Sequence, residues 1–359
     1  MENRERELRL FLVALAVAFL SSIAVSQVVY VDSRAGRDEN AGTNERPVRT
    51  LRRAAEIVNA GEEPAPATVK LSPGIYNLTE SVAFGGTRPY SEESRLVIEA
   101  SIPPDDPRWR PALMPIILST EDPRKQTNSD ELTATYGLKV EVSHVTIRGL
   151  KFLGNALSRN WHCCLSRIGE DLDDLLVTQC MFVGDKDTSD IYCAALATGD
   201  RFVVDHCIFR NCHACTVFWD GPRGIAGKGC SMRYCIVDGA YIAGVWTCQT
   251  ADDFEFHHNI VTRSEYFWMR KDTDGSRRYR VHDCIVTDNK HYSGYGVESG
   301  PTGQTGPEVT FVESNVVKQG QVTFETNRAV RLYLHVAPGR LGSDLGAGLF
   351  TKQTEKQEP

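Results

Sequence analysis

The sequence predicts an all-β chain wound as a single-domain parallel solenoid, and three observations predict it. First, a six-residue phrase recurs: "VTQCMF" at Val177 to Phe182, "VDHCIF" at Val204 to Phe209, "MRYCIV" at Met232 to Val237, "FHHNIV" at Phe256 to Val261, "VHDCIV" at Val281 to Val286 and "VESNVV" at Val312 to Val317, with a degenerate "IRGLKF" at Ile147 to Phe152. Second, its fourth position, running through Leu150, Cys180, Cys207, Cys235, Asn259, Cys284 and Asn315, returns about every 24 to 31 residues, the range of stacked repeats. Third, each copy is short, rich in β-branched and aromatic residues, and closed by turn chemistry such as Asp238-Gly239 or Asp288-Asn289, with no ten-residue run at helical period. One unit cannot bury its own apolar face, so it stacks on the next copy, about 4.8 Å away.

Within the phrase the first, fourth and sixth positions are apolar or small, so a strand that bends once in its middle points all three inward. The second and third positions, such as Asp205 and His206 or His257 and His258, then face water. The fourth position becomes an internal stack of cysteines with asparagine at Asn259 and Asn315, since a side-chain amide can bond its neighbour in the next rung.

Taken in order, the chain opens with Arg4, Arg6 and Arg9 before an apolar stretch from Leu10 to Val25 and a small-x-small site "AVS" at Ala24 to Ser26. Residues 1–26 therefore read as an export signal, and the mature protein is expected to be secreted, periplasmic or on the cell surface, free of the membrane once the signal is cleaved. Residues 27–350 form the solenoid, of about eight to ten rungs, and the polar residues 351–359 a disordered tail. A monomer is expected. The formal net charge of −7 gives no general attraction to nucleic acid.

The bent strand with an inward Asn or Cys column resembles the right-handed parallel β-helix of the pectate-lyase-like superfamily. The flanks are similar too: "VYVDSRAGRDENAGTNERPVRTLRRAAEIV" at 29 to 58 looks like the entry strand and short capping helix, near Thr50 to Asn59, and "VKLSPGIYNL" at Val69 to Leu78 like the first rung. "SDLGA" at Ser343 to Ala347 resembles a closing strand. The resemblance implies a fold that hosts lyases, hydrolases, epimerases and non-catalytic surface proteins, so it implies no single chemistry.

A second strand follows each phrase: "WHCCLSR", "YCAALAT", "ACTVFWD", "AGVWTCQ", "YFWMRKD" and "GYGVES". Trp161, Tyr192, Trp219, Trp246, Trp268 and Tyr295 recur in these strands at about the rung period, and an outward ladder of them would stack sugar rings. "YFWMRKD" also places Arg270 and Lys271 beside Trp268, with Glu265, Asp272 and Asp274 near. These make Lys271, Arg270 and Glu265 the catalytic candidates.

β-Elimination on an acidic polysaccharide needs a base at the proton next to the uronate carboxyl group and a cation, a basic side chain or Ca²⁺, to neutralise that carboxylate. Relatives in the resembled superfamily often use Lys or Arg there. A polysaccharide lyase is the favoured expectation, a non-catalytic carbohydrate-binding or surface protein the alternative, and glycoside hydrolysis the second alternative, drawing on Asp220, Asp252, Asp253, Glu265 or Glu298. No Asp-rich calcium cluster is visible, and no metal ligand set is assigned. Two segments, residues 101–135 and Asp220 to Gly229, are expected to wall a groove.

All eleven cysteines lie between Cys163 and Cys284. Those of the fourth column are expected to be buried and reduced, and a pair among the others to be open to bridging. The stacked His257 and His282, with His206, His258 and Asp283 in the next column, are expected to be exposed rung positions.

Overall fold

The computed structural model describes residues 26–351 apart from 124–133, 158–160, 170, 222, 225–226, 272–276 and 298–299. The expected export signal up to Val25, the expected tail beyond Thr351, and Asp272, Asp274 and Glu298 lie outside the described residues. Each turn of the coil carries three strands, for example Asp200–Asp205, Ile208–Arg210 and Ala214–Phe218. Each strand pairs in parallel with its equivalents in the turns before and after, giving three ladders. The first two are joined through the bend inside the phrase into one 17-stranded sheet, and the third is a separate 9-stranded sheet whose last strand, Gly300–Thr305, runs antiparallel. The entry strand Gln27–Val31 and the capping helix Leu51–Asn59 (α1) stand as the sequence predicts, with the Thr50 hydroxyl accepting from the Arg53 N–H as N-cap.

The bend between the first two ladders is one residue in the left-handed region. Gln179, His206, Tyr234, His258 and Asp283 all occupy it, with φ between 48° and 55°. None is glycine, so each costs roughly 1 kcal/mol that the ladder bonds on either side must offset. The residue after the bend turns inward. Its polar atoms reach back along the column: the Cys207 thiol donates to Val177 O at 3.5 Å, the Cys235 N–H donates to Asn259 Oδ1 at 2.8 Å, and Asn259 Nδ2 donates to Met232 O at 2.8 Å. All eleven cysteines are buried, and none forms a disulfide among the described residues. Burial pushes the Cys180 and Cys207 thiols well above their ordinary range and Cys284 up to about 12, so these sulfurs pack rather than react.

Asn315 does not continue this column. Cys284 pairs with Val316, which puts Asn315 opposite Asp283 at the bend itself (φ 50°), exposed and donating to Asp283 Oδ1. The sixth position is inward as expected, with Phe152, Phe182 and Phe209 stacked at 4.7 and 4.9 Å.

The fifth position points out of the coil yet is buried. Met181, Ile208, Ile236, Ile260 and Ile285 form a column on the second ladder, covered by Val322, Phe324, Tyr333, Leu334, Val336 and Leu349 from the C-terminal segment. Ser343 to Ala347 therefore lies as turns over the outside of the coil rather than as a closing strand, with Gly342, Gly346 and Gly348 at positive φ. The expected wall is corrected over residues 101–123, and residues 124–133 of it lie outside the described residues. Ile116–Ser119 is a rung strand, and Trp109 is fully buried against Phe350, with Arg331 donating to the carbonyls of Pro104, Asp106 and Trp109.

Two enclosed histidines make this architecture acid-sensitive. Burial pushes His162 and His335 down to about 4, and His335 Nε2 accepts the Leu349 N–H at 2.9 Å, a bond its protonation removes. With folded-state values below the unfolded 6.5, their contribution is intact above about pH 6.5 and is lost as pH falls towards 4. Thermal melts from pH 7.5 to 4.5 are expected to show a loss of roughly 2 kcal/mol per histidine, and His335→Gln to flatten part of that slope.

Candidate functional site at the third ladder

The third ladder is enclosed on both faces for most of its length: Cys193–Ala197, Ala214–Phe218, Ala243–Thr247 and Tyr266–Arg270 are buried at every residue. Its strands do not alternate strictly. Tyr266 and Met269 belong to the cluster on the outer face, whereas Phe267 and Trp268 both belong to the interior core. This inward pair takes Trp268 out of the proposed ladder: its ring packs among Phe254, Phe256, Tyr279 and Phe311, and its Nε1 donates to Thr247 Oγ1 at 2.9 Å.

The other aromatics fall in different columns. Strand register pairs Trp246 with Val217 and Met269, and Tyr295 with Arg270, while Trp219 follows the end of its strand. Trp161 and Tyr192 stack at 4.4 Å with planes 17° apart, at the opposite end of the strands from Trp219. The structure holds one stacked pair and separate rings, not one strip.

The three catalytic candidates also separate. Arg270 is inward and fully buried, its Nη1 donating to Arg277 O at 3.1 Å and its guanidinium 5.7 Å from the Tyr295 ring. Arg277 in turn donates to Thr250 O at 2.6 Å, so Arg270 braces the chain that follows Lys271. Glu265 sits at the start of the same strand, about 16 Å away along it, where Lys290 Nζ reaches Glu265 Oε1 at 2.6 Å. Lys271 alone stands at the outer surface of the strand ends. Backbone bonds from Trp219 to Ala197, Cys248 to Phe218 and Lys271 to Thr247 put Trp219, Cys248 and Lys271 on successive rungs of one column.

Lys271 meets Asp220, one of the carboxylates that the sequence offers for hydrolysis. Its Nζ lies 2.8 Å from Asp220 Oδ2, with the Asp220 side chain fully enclosed and the Lys271 side chain 35% exposed. Asp220 Oδ1 is enclosed too and has no hydrogen-bond partner among the described residues. Arg223, on the segment that follows Asp220, is exposed with Nη2 3.3 Å from Asp171 Oδ1. The site is thus an ammonium reachable from solvent on a carboxylate that is not, with a half-buried indole two rungs earlier in the same column.

Other clusters fit their groups less well. Among the described residues no set of three or more His, Cys, Asp or Glu side chains is placed to hold a metal ion. His257 and His282 stack in register at 5.1 Å, and burial followed by the charges of His282 and His258 pushes His257 down to about 4. A hollow of about 400 Å³ at the N-terminal cap is lined by Asp38, Arg49, Arg52 and Glu80, but Arg52 is paired with Glu80 and the Arg49 and Thr50 N–H groups donate to Asp38.

No family model and no curated protein matches the chain. Solved structures do match it. One is a pectin methylesterase from Aspergillus niger in deglycosylated form, with TM-score 0.52 and 12% identity over 90% of this chain and 95% of that one. Another is XylC in complex with xylose, with TM-score 0.51 and 10% identity over 76% of this chain and 64% of that one. The chain has the right-handed parallel β-helix fold. At these identities the likeness is one of fold, and no helix among the described residues of this β-helix is long and apolar enough to cross a membrane.

Proposed function

We propose that this β-helix is an exported protein that binds and cleaves an acidic polysaccharide by β-elimination, with Lys271 and Asp220 as its reacting pair. The observation that carries the reading is the 2.8 Å contact between a solvent-reachable ammonium and an enclosed carboxylate whose second oxygen has no described partner. Transfer of the ammonium proton to Asp220 leaves an amine on Lys271. That amine takes the proton next to the uronate carboxyl group. The electron pair forms the new C=C bond as the C–O bond to the next sugar breaks, and the ammonium returns its proton to the departing oxygen.

Trp219, two rungs before Lys271 in the same column, supplies a ring face for a neighbouring sugar, and Arg223, exposed on the segment after Asp220, is the cation assigned to the uronate carboxylate. Hydrolysis draws less support, because it needs two carboxylates facing one bond. Asp220 is committed to Lys271, Asp253 to the Gly229 N–H at 2.8 Å and Glu265 to Lys290. The non-catalytic reading is favoured by one observation, that Arg270 and Glu265 do not join Lys271.

The test is incubation of residues 27–359 with polygalacturonate, alginate and other uronate polymers, following the ultraviolet absorbance of unsaturated ends. Absorbance growth is expected. Reducing ends without absorbance would assign hydrolysis, and neither would leave a binding protein.

A further inference from the structure

At the opposite end of the third-ladder strands from Lys271, four rings run across four successive rungs. Trp161 stacks on Tyr192 at 4.4 Å, Tyr192 meets His213 edge-on at 5.0 Å, and His213 meets Tyr241 edge-on at 5.9 Å. Rung spacing makes this arc about 14 Å long, the length of roughly three pyranose units. Backbone bonds fix it: Tyr192 donates to His162 O at 3.0 Å, His213 to Ile191 O at 2.8 Å and Tyr241 to Cys212 O at 2.8 Å. Trp161, His213 and Tyr241 are half-buried. On the rung before Trp161 its register partner is Ala134.

A short hairpin overhangs the arc. Asp185 and Ser189 exchange backbone bonds, the Lys186 N–H donates to Tyr241 Oη at 3.0 Å, and the Lys186 ammonium lies 5.5 Å from the Tyr241 ring. Where the hairpin returns to the ladder, Asp190 Oδ1 and His213 Nδ1 are both enclosed and both lack a hydrogen-bond partner among the described residues. Each such atom costs about 1–3 kcal/mol until something bonds it. Burial pushes the Asp190 carboxyl up and the His213 imidazole down, both towards neutral forms that together offer donors and acceptors. Both residues are half-buried, so a hydroxyl arriving at the open edge can turn either group and satisfy its enclosed atom.

We infer that the arc of Trp161, Tyr192, His213 and Tyr241, with Asp190, is a second carbohydrate site that takes a neutral oligosaccharide. Aromatic walls with a few convergent polar atoms are what a sugar needs: apolar ring faces for its C–H surface and fixed partners for its hydroxyls. Neutrality follows from the flanking charge. Asp185 stands beside Lys186 and balances its charge, and burial holds Asp190 and His213 towards neutral forms, so the arc offers no surplus cation to a uronate. The site is independent of elimination at Lys271, because it lies across the full length of the strands.

The experiment is calorimetric titration of residues 27–359 with hexasaccharides of β-1,4-linked xylose, glucose and mannose. Saturable binding of at least one is expected, weakened tenfold or more by Trp161→Ala and by the milder His213→Gln. Thermal melts establish that both variants are folded, and Trp161→Ala leaves the growth of ultraviolet absorbance on polyuronate unchanged. Binding of none of the three sugars, or affinity unaltered in both variants, overturns the inference. Loss of the ultraviolet signal without loss of neutral-sugar binding would count against the lyase reading and not against this site.

Discussion

Lys271→Met is expected to destabilise the protein by about 3 kcal/mol, because it strands the fully enclosed Asp220 carboxylate without its cation. The figure sits at the low end for a broken buried pair because Lys271 is itself 35% exposed and its charge already partly screened. The double variant Lys271→Met/Asp220→Asn should recover most of the loss, since an amide is far cheaper to enclose than an unpaired charge. Chemical denaturation of the two variants measures both quantities, with the midpoint moving and the slope unchanged. Equal stability of the single variant and the parent would mean that solvent reaches Asp220 and that the pair is an ordinary surface contact.

Phe209→Ala should cost about 3–5 kcal/mol, the range for removing an aromatic ring from a packed core. Phe209 is fully buried, stacks on Phe182 at 4.9 Å and lies beneath Val237 of the next rung. The cavity cannot collapse easily, because ladder bonds on both sides hold the rung spacing. A urea midpoint gives the value. A loss under 1 kcal/mol would show that neighbouring rungs close the gap.

The rung period was legible because stacking forces equivalent residues to recur, and the recurring apolar first, fourth and sixth positions are what a bent strand with a dry interior requires. The bend residues were not, since Tyr234 and Gln179 carry no left-handed preference that a sequence reveals; only the ladder bonds around them hold φ near 50°. That is also why Asn315 was set one place out of register. The fifth-position isoleucines looked like ordinary strand residues, and nothing local shows that a segment more than 50 residues beyond Ile260 folds back over them.

The site was half legible for a similar reason. Period-two alternation fails in strands buried on both faces, so Trp268 and Arg270 could not be told from outward residues, and the inward pair Phe267 and Trp268 shifted the reading of everything after it. Lys271 was found from its place after the strand. Its partner Asp220 lies 51 residues earlier and meets it only through stacking, a contact no local pattern encodes.

The measurement that tests the central claim most directly is the rate of unsaturated-product formation by the Lys271→Met/Asp220→Asn protein beside the parent, on whichever polyuronate the parent cleaves. The account predicts a folded protein whose ultraviolet signal falls at least a hundredfold, within the range general acid–base catalysis supplies, ~10²–10⁴. A rate within a few-fold of the parent would contradict it and place the reaction elsewhere on the coil.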